Sequence, residues 1–331
     1  MRIIMLGHTG VGKTTYMASL YGSMQQSIEG FKLKAAEPED HKRWMEMAEQ
    51  IQQGKYPALT DQRQEYNFYL RYQGKNILKF AWADYRGGAI RETQESEQAK
   101  ALLQDLKTAD GIMLFCDCNA LAQGDTRSNQ IGRMTTLASQ ALRELDRPMS
   151  LAIVLTKTDL VIDFQVDLLQ SLNGLITAID ASEFVLGALL PIACGTQLHN
   201  VPMPLLFILH AAVVFQATTT YAAAESHEER AKSYETQSRG FGGMADWVIS
   251  KISNQETYRE MAAKEKKQAV EKQQEFEEII EPAMSLYNYV QKLPLIKPDL
   301  ALNDYVRLLS EIKGGVIDNS VSNLDPFSIF N

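Results

Sequence analysis

The chain opens on an apolar run, Arg2-Ile3-Ile4-Met5-Leu6, that passes without a break into Gly7-His8-Thr9-Gly10-Val11-Gly12-Lys13-Thr14-Thr15. A short apolar segment bounded in this way reads as a buried strand, and the residues after it spell G-x-x-x-x-G-K-T. Glycines let such a loop curl so that successive backbone N–H groups converge on the β- and γ-phosphates of a nucleotide. Lys13 adds a compact positive charge, and the Thr14 hydroxyl suits a Mg²⁺ ligand. A helix opening at Lys13 aims its positive dipole end at the same anion.

The remaining pattern extends this start into an α/β sheet. Helix one is expected over 14–24 and a short strand near Phe31-Lys32-Leu33, followed by an inserted helix over 38–53 with Trp44, Met45, Met47, Ala48 and Ile51 at helical spacing. Residues 64–72 alternate polar and apolar and return through Gln73-Gly74-Lys75 into 77–83, which reads as a hairpin. Helical stretches at 89–108, 128–146, 163–182 and 203–216 alternate with apolar strands at 111–116, 151–155 and 189–194. This alternation predicts a doubly wound, mostly parallel six-stranded sheet with one antiparallel strand. The domain boundary is expected at 220, with residues 221–331 as a C-terminal helical extension. In that extension Gly240-Phe241-Gly242-Gly243 reads as a hinge. The polar stretch 255–281 reads as a helix that is solvated or paired with something outside this fold.

Composition narrows the class. A net charge of −8 over 331 residues argues against a nucleic-acid-binding surface. Three cysteines without a C-x-x-C pair fit a reducing, cytoplasmic setting. The sequence opens directly on its first expected strand, so no signal peptide is expected. Its most apolar stretch, 205–215, is too short to span a bilayer and reads as a helix packed on the sheet.

Two further strand ends carry chemistry. In Phe80-Ala81-Trp82-Ala83-Asp84-Tyr85-Arg86-Gly87-Gly88, the carboxylate closing the strand stands where a Mg²⁺ ligand belongs, and Gly87 can offer its N–H to a γ-phosphate. In Leu155-Thr156-Lys157-Thr158-Asp159, the Asp159 carboxylate can accept from the N1–H and exocyclic amine of guanine, a donor pair that adenine lacks. The Lys157 stem can lie along the base, and N–H groups of Ala193-Cys194-Gly195 can meet the guanine O6.

With these segments in order, the sequence resembles the P-loop GTPases of the TRAFAC class, which includes translation factors and Ras-like GTPases. Gly7–Thr14 matches the first motif, Asp84–Gly87 the third, Thr156–Asp159 the fourth as T-K-x-D, and Ala193-Cys194-Gly195 the fifth loosely. The resemblance covers residues 1–217. Within the class, the inserted helix and W-x-D-Y-x-G-G resemble the bacterial double-GTPase-like groups. The resemblance implies GTP or GDP with Mg²⁺ as ligands. Gly7, His8, Thr9, Gly10, Val11, Gly12, Lys13, Thr14, Thr15 and Gly87 then surround the phosphates. Thr156, Lys157, Asp159, Ala193 and Cys194 hold the base, and Thr14, Thr60 and Asp84 ligate the metal. Thr60, just before the hairpin, falls where the family places its switch threonine; the alternative is a loop threonine in a turn.

The departures bear on turnover. The water-orienting glutamine of the family is replaced by Gly88, which has no side chain. Lys13, Thr60 and Arg86 are the remaining catalytic candidates. Arg86 is either an arginine finger in cis or part of a surface salt bridge. The expected function is a GTP-binding molecular switch with weak intrinsic GTP hydrolase activity, completed by a protein regulator or a second subunit, such as that of a homodimer. The alternative is a nucleotide-binding scaffold with negligible hydrolysis.

Overall fold

The computed structural model describes residues 1–58, 64–84, 97–143, 145, 147–237 and 256–313. They form two compact units, Met1–Ala212 with the described residues from Ser285 onward, and Val213–Met284. Thr60, Arg86, Gly87, Gly88 and the expected glycine hinge lie outside the described residues.

The first unit is built on β1 (Arg2–Leu6), whose Ile3, Ile4 and Met5 are fully buried. Continuous burial on both faces is what a central parallel strand requires. On one side β1 pairs with β4 (Lys75–Asp84), on the other with β5 (Gly111–Asp117), both in parallel. Next come β6 (Met149–Thr156) and β7 (Val185–Pro191), also parallel. On the far side β3 (Gln64–Tyr72) runs antiparallel to both β4 and β2 (Phe31–Ala35). The order is β2-β3-β4-β1-β5-β6-β7, so among the described residues β3 alone opposes the others.

That count corrects the expected six strands to seven. The segment at Phe31 is a full edge strand: Phe31, Leu33 and Ala35 point inward while Lys32 and Lys34 stay exposed, and all five residues pair with β3. The last strand also begins earlier than the sequence suggests. Pro191 closes β7, and Ala193–Cys194 (β8) instead forms a small antiparallel ribbon with Leu198–His199 (β9).

Helices α1 (Lys13–Ser23), α2 (Pro38–Gln52), α3 (Glu97–Thr108), α4 (Cys118–Ala122) and α5 (Ile131–Leu142) follow their strands. The stretch expected as one helix over 163–182 is two, α6 (Val166–Gln170) and α7 (Asn173–Asp180). Helix α8 (Met203–Gln237) is much longer than expected and by length and composition could cross a membrane. Its apolar start, Leu205 to Leu209, is fully buried in the core of the first unit.

The expected boundary at 220/221 is corrected as well. After α9 (Tyr258–Val290) the chain returns to the sheet: the Ile296 N–H donates to Gly187 O at 2.8 Å, and the Leu189 N–H to Pro294 O at 3.1 Å. Helix α10 (Leu302–Lys313) then places Tyr305 and Leu309 in the sheet's core and buries Ile312 as well. An edge strand's unpaired groups are a liability, and this return covers that of β7.

The second unit pairs the later part of α8 with α9 in antiparallel fashion. Tyr221 meets Phe276 with ring centroids 5.2 Å apart, and Tyr234 stacks on Tyr258 at 6.3 Å. His227 Nδ1 lies 2.6 Å from Glu265, and Lys266 lies 2.5 Å from Glu235. Buried Ala217, Ala224 and Ala231 recur at the heptad spacing of a helix–helix seam. The polar helix therefore has its partner within this chain, which corrects the reading of it as paired outside the fold, while most of its middle, from Lys264 to Gln274, is exposed as a solvated helix would be.

Candidate nucleotide site

The carboxyl ends of the parallel strands converge on one cavity, as expected where strand connections diverge to either side of β1. Leu6 ends β1 beside Leu114 of β5, and Asp84 ends β4 beside Met5. The loop after β1 is forced close to β5. A Cβ on Gly7 would stand 2.9 Å from both the Cβ and the carbonyl oxygen of Phe115, so only glycine fits. Gly12, at φ 99°, takes the left-handed conformation that side chains disfavour and directly precedes α1. The Lys13 ammonium donates to the Gly7 carbonyl at 2.8 Å, drawing the loop into a ring around its own cation.

Lys13 and Asp84 are both buried, at 7% and 3% exposure, and close enough for their charges to act on one another. Burial lowers the Lys13 pKa, opposed by Asp84. Burial pushes the Asp84 carboxyl up to about 6, opposed by Lys13. Asp84 Oδ1 has no hydrogen-bond partner among the described residues. A buried carboxylate oxygen left without a donor suits a cation, and the Thr14 hydroxyl at the cavity wall is the matching ligand type. The residues present therefore fit a Mg²⁺-nucleotide.

The cavity holds about 450 Å³. One end is lined by Thr9, Gly10, Gly12, Lys13, Thr14 and Thr15, the other by Thr156, Lys157, Asp159 and Cys194. The two ends are stitched together by Thr156, whose buried hydroxyl is 2.7 Å from Val11 O and 3.1 Å from Cys116 O as shared acceptors. Thr158 fixes the next turn by donating from Oγ1 to Ile192 O at 2.9 Å. Asp159 itself is exposed, ready to meet a ligand.

Of the other expected contacts, Gly7, Val11 and Ala193 are buried and His8 is half-buried; none of the four lines the cavity. Gly195, expected with Ala193 and Cys194 to face the guanine O6, does line it, and so do Tyr56, Pro57, Ala58 and Leu160, which were not among the expected ligand contacts. The Tyr56 hydroxyl lies 3.1 Å from where a Gly195 Cβ would stand, placing this ring at the Asp159 end. Sequence reading also missed Asp117. Its Oδ2 accepts from Lys157 Nζ at 2.5 Å while Oδ1 caps α4 through the Ala120 N–H. Buried Asn129 holds the Asp117 backbone at both its N–H and its carbonyl, at 2.6 and 3.1 Å. Lys157 sits at φ 57°, a left-handed conformation costing about 1–2 kcal/mol, and this ion pair holds its side chain across the cavity floor. The only local signal for Asp117 was its place at the end of a buried strand.

None of the curated proteins matches this chain. A family model described as Double-GTPase 2 matches residues 2–185, more than half of the 331, from β1 to the first residue of β7. The chain belongs to the Double-GTPase 2 family.

Proposed function

We propose that this chain is a P-loop GTPase of the TRAFAC, Ras-like class that binds Mg²⁺-GTP, hydrolyses it slowly to GDP and phosphate, and acts as a cytoplasmic molecular switch. The observation that carries the reading is that a phosphate-binding loop and an exposed carboxylate on a T-K-x-D turn open onto the same cavity. The GTPase family supports it independently.

Each residue has a defined task in this reading. The N–H groups of the loop and the Lys13 ammonium hold the β- and γ-phosphates. Asp159 accepts from the N1–H and amine of guanine, and the Lys157 stem, held by Asp117, lies along the base. Thr14, Asp84 and Thr60 are the residues to hold Mg²⁺, which supplies neutralisation of phosphate charge when bound. Gly88 offers no side chain to orient water, so turnover is slow unless a partner or second subunit completes the site.

The test is a titration of fluorescent GTP with ATP as competitor in Mg²⁺, followed by a GTP hydrolysis time course. Binding that favours GTP, with slow phosphate release, supports the reading. Comparable affinity for both nucleotides overturns the guanine assignment. Tight GTP binding with no phosphate release makes the chain a nucleotide-binding scaffold instead.

A further inference from the structure

Both loops at the Asp159 end of the cavity are tied to the C-terminal end of α10, which lies beyond the residues the family model matches. The Lys313 ammonium donates to the carbonyls of Val161 and Ile162, the latter at 3.0 Å, immediately after the turn that carries Asp159. It also stands 5.7 Å from the centroid of the Phe164 ring. One residue earlier, the Ile312 carbonyl accepts from His199 Nε2 at 3.3 Å. His199 is the register partner of Ala193 in the ribbon that brings Cys194 to the cavity.

The helix making these ties is itself fixed. Leu309 and Ile312 are buried, and the buried Tyr305 accepts the Lys297 N–H at 2.9 Å and donates to Lys297 O at 3.2 Å. The turn it supports has less apolar anchorage. Leu160 is 59% exposed and Ile162 90%, which leaves Val161 and Phe164 as the buried residues of that stretch. The turn is pinned at its start by Lys157–Asp117 and Thr158–Ile192, and past Asp159 by Lys313. The phosphate loop depends on different bonds, Lys13 to Gly7 and Thr156 to Val11, neither of which involves α10.

We propose that Lys313 is a positioning residue for guanine recognition, and that α10, with His199 as its second tie, sets the affinity of the cavity for the nucleoside part of the ligand and leaves the phosphate part alone. This rests on the guanine-nucleotide reading given above. A cation donating to two backbone carbonyls is a strong tether, and losing it frees the segment that carries Asp159.

The experiment uses the full chain with fluorescent GTP, and with inorganic tripolyphosphate and ATP as competitors, in Mg²⁺. For Lys313→Met, fluorescent GTP should dissociate about ten-fold faster, the loss expected for a charge-assisted pair, with tripolyphosphate affinity unchanged. Lys313→Arg, which keeps the charge and donors, should recover most of the loss. A GTP release rate equal to wild type in Lys313→Met overturns the proposal. So does an equal weakening toward GTP and tripolyphosphate, which would mark a general loss of fold. Wild-type chain that binds ATP as well as GTP overturns the guanine reading itself, and is told apart because it appears before any variant is made.

Discussion

Asp84 concentrates the conflict between folding and function in a single carboxyl. Burial holds its pKa near 6, above the ordinary 3.8, so the folded chain favours the protonated form. With the folded pKa raised, the folded state binds more protons than the unfolded one between about 4 and about 6, and stability contributed by this group is lost as pH rises through that window. Above it the chain carries a buried anion with one oxygen that has no hydrogen-bond partner among the described residues, a cost that a bound cation relieves. Asp84→Asn should therefore melt higher than wild type at pH 7.5 without nucleotide, match it near pH 4, and lose Mg²⁺-dependent GTP binding. A lower melting temperature at pH 7.5 would contradict this. The same scale shows why part of the site was legible. In the proposed reading, Gly12, Lys13, Thr14 and Asp159 announce themselves because phosphate and guanine chemistry would fix their spacing. Asp117, Asn129 and Lys313 act through partners 40, 12 and at least 151 positions away, and carry no local pattern.

At the level of elements, burial on both faces made β1, β5 and β6 plain in the sequence, whereas β7 hid its start behind half-exposed Val185 and Leu186. The α8–α9 pairing was hidden for a different reason. Its seam is lined with alanine and threonine, which do not stand out as an apolar stripe, and ion pairs such as Lys266–Glu235 flank it. Small residues at heptad spacing let the two backbones approach closely, so extra volume there has nowhere to go. Ala224→Leu should cost about 1–3 kcal/mol in this pair. Hydrogen exchange should show it as faster amide exchange across 213–237, with nucleotide affinity of the first unit preserved. Unchanged exchange would mean that Ala224 lies outside the seam.

On the scale of the whole molecule, the chain leaves the sheet domain along α8 and comes back to it after α9 to complete it. Leu293, Leu295 and Ile296 are interrupted by Pro294 and flanked by Lys292, Lys297 and Pro298, so the return to β7 has no period that marks a strand. That is why a boundary at 220 looked final. The return matters for function because α10 reaches both loops at the Asp159 end of the cavity. The central claim is that Asp159 reads guanine within a cavity whose other end holds triphosphate. Its most direct measurement is the affinity of Asp159→Asn for GTP and XTP, since the amide swaps an acceptor for a donor and should prefer xanthine, which offers the complementary oxygen. The expected result is a preference reversed from GTP to XTP with the phosphate contacts intact. Unchanged preference for GTP in the variant would contradict it.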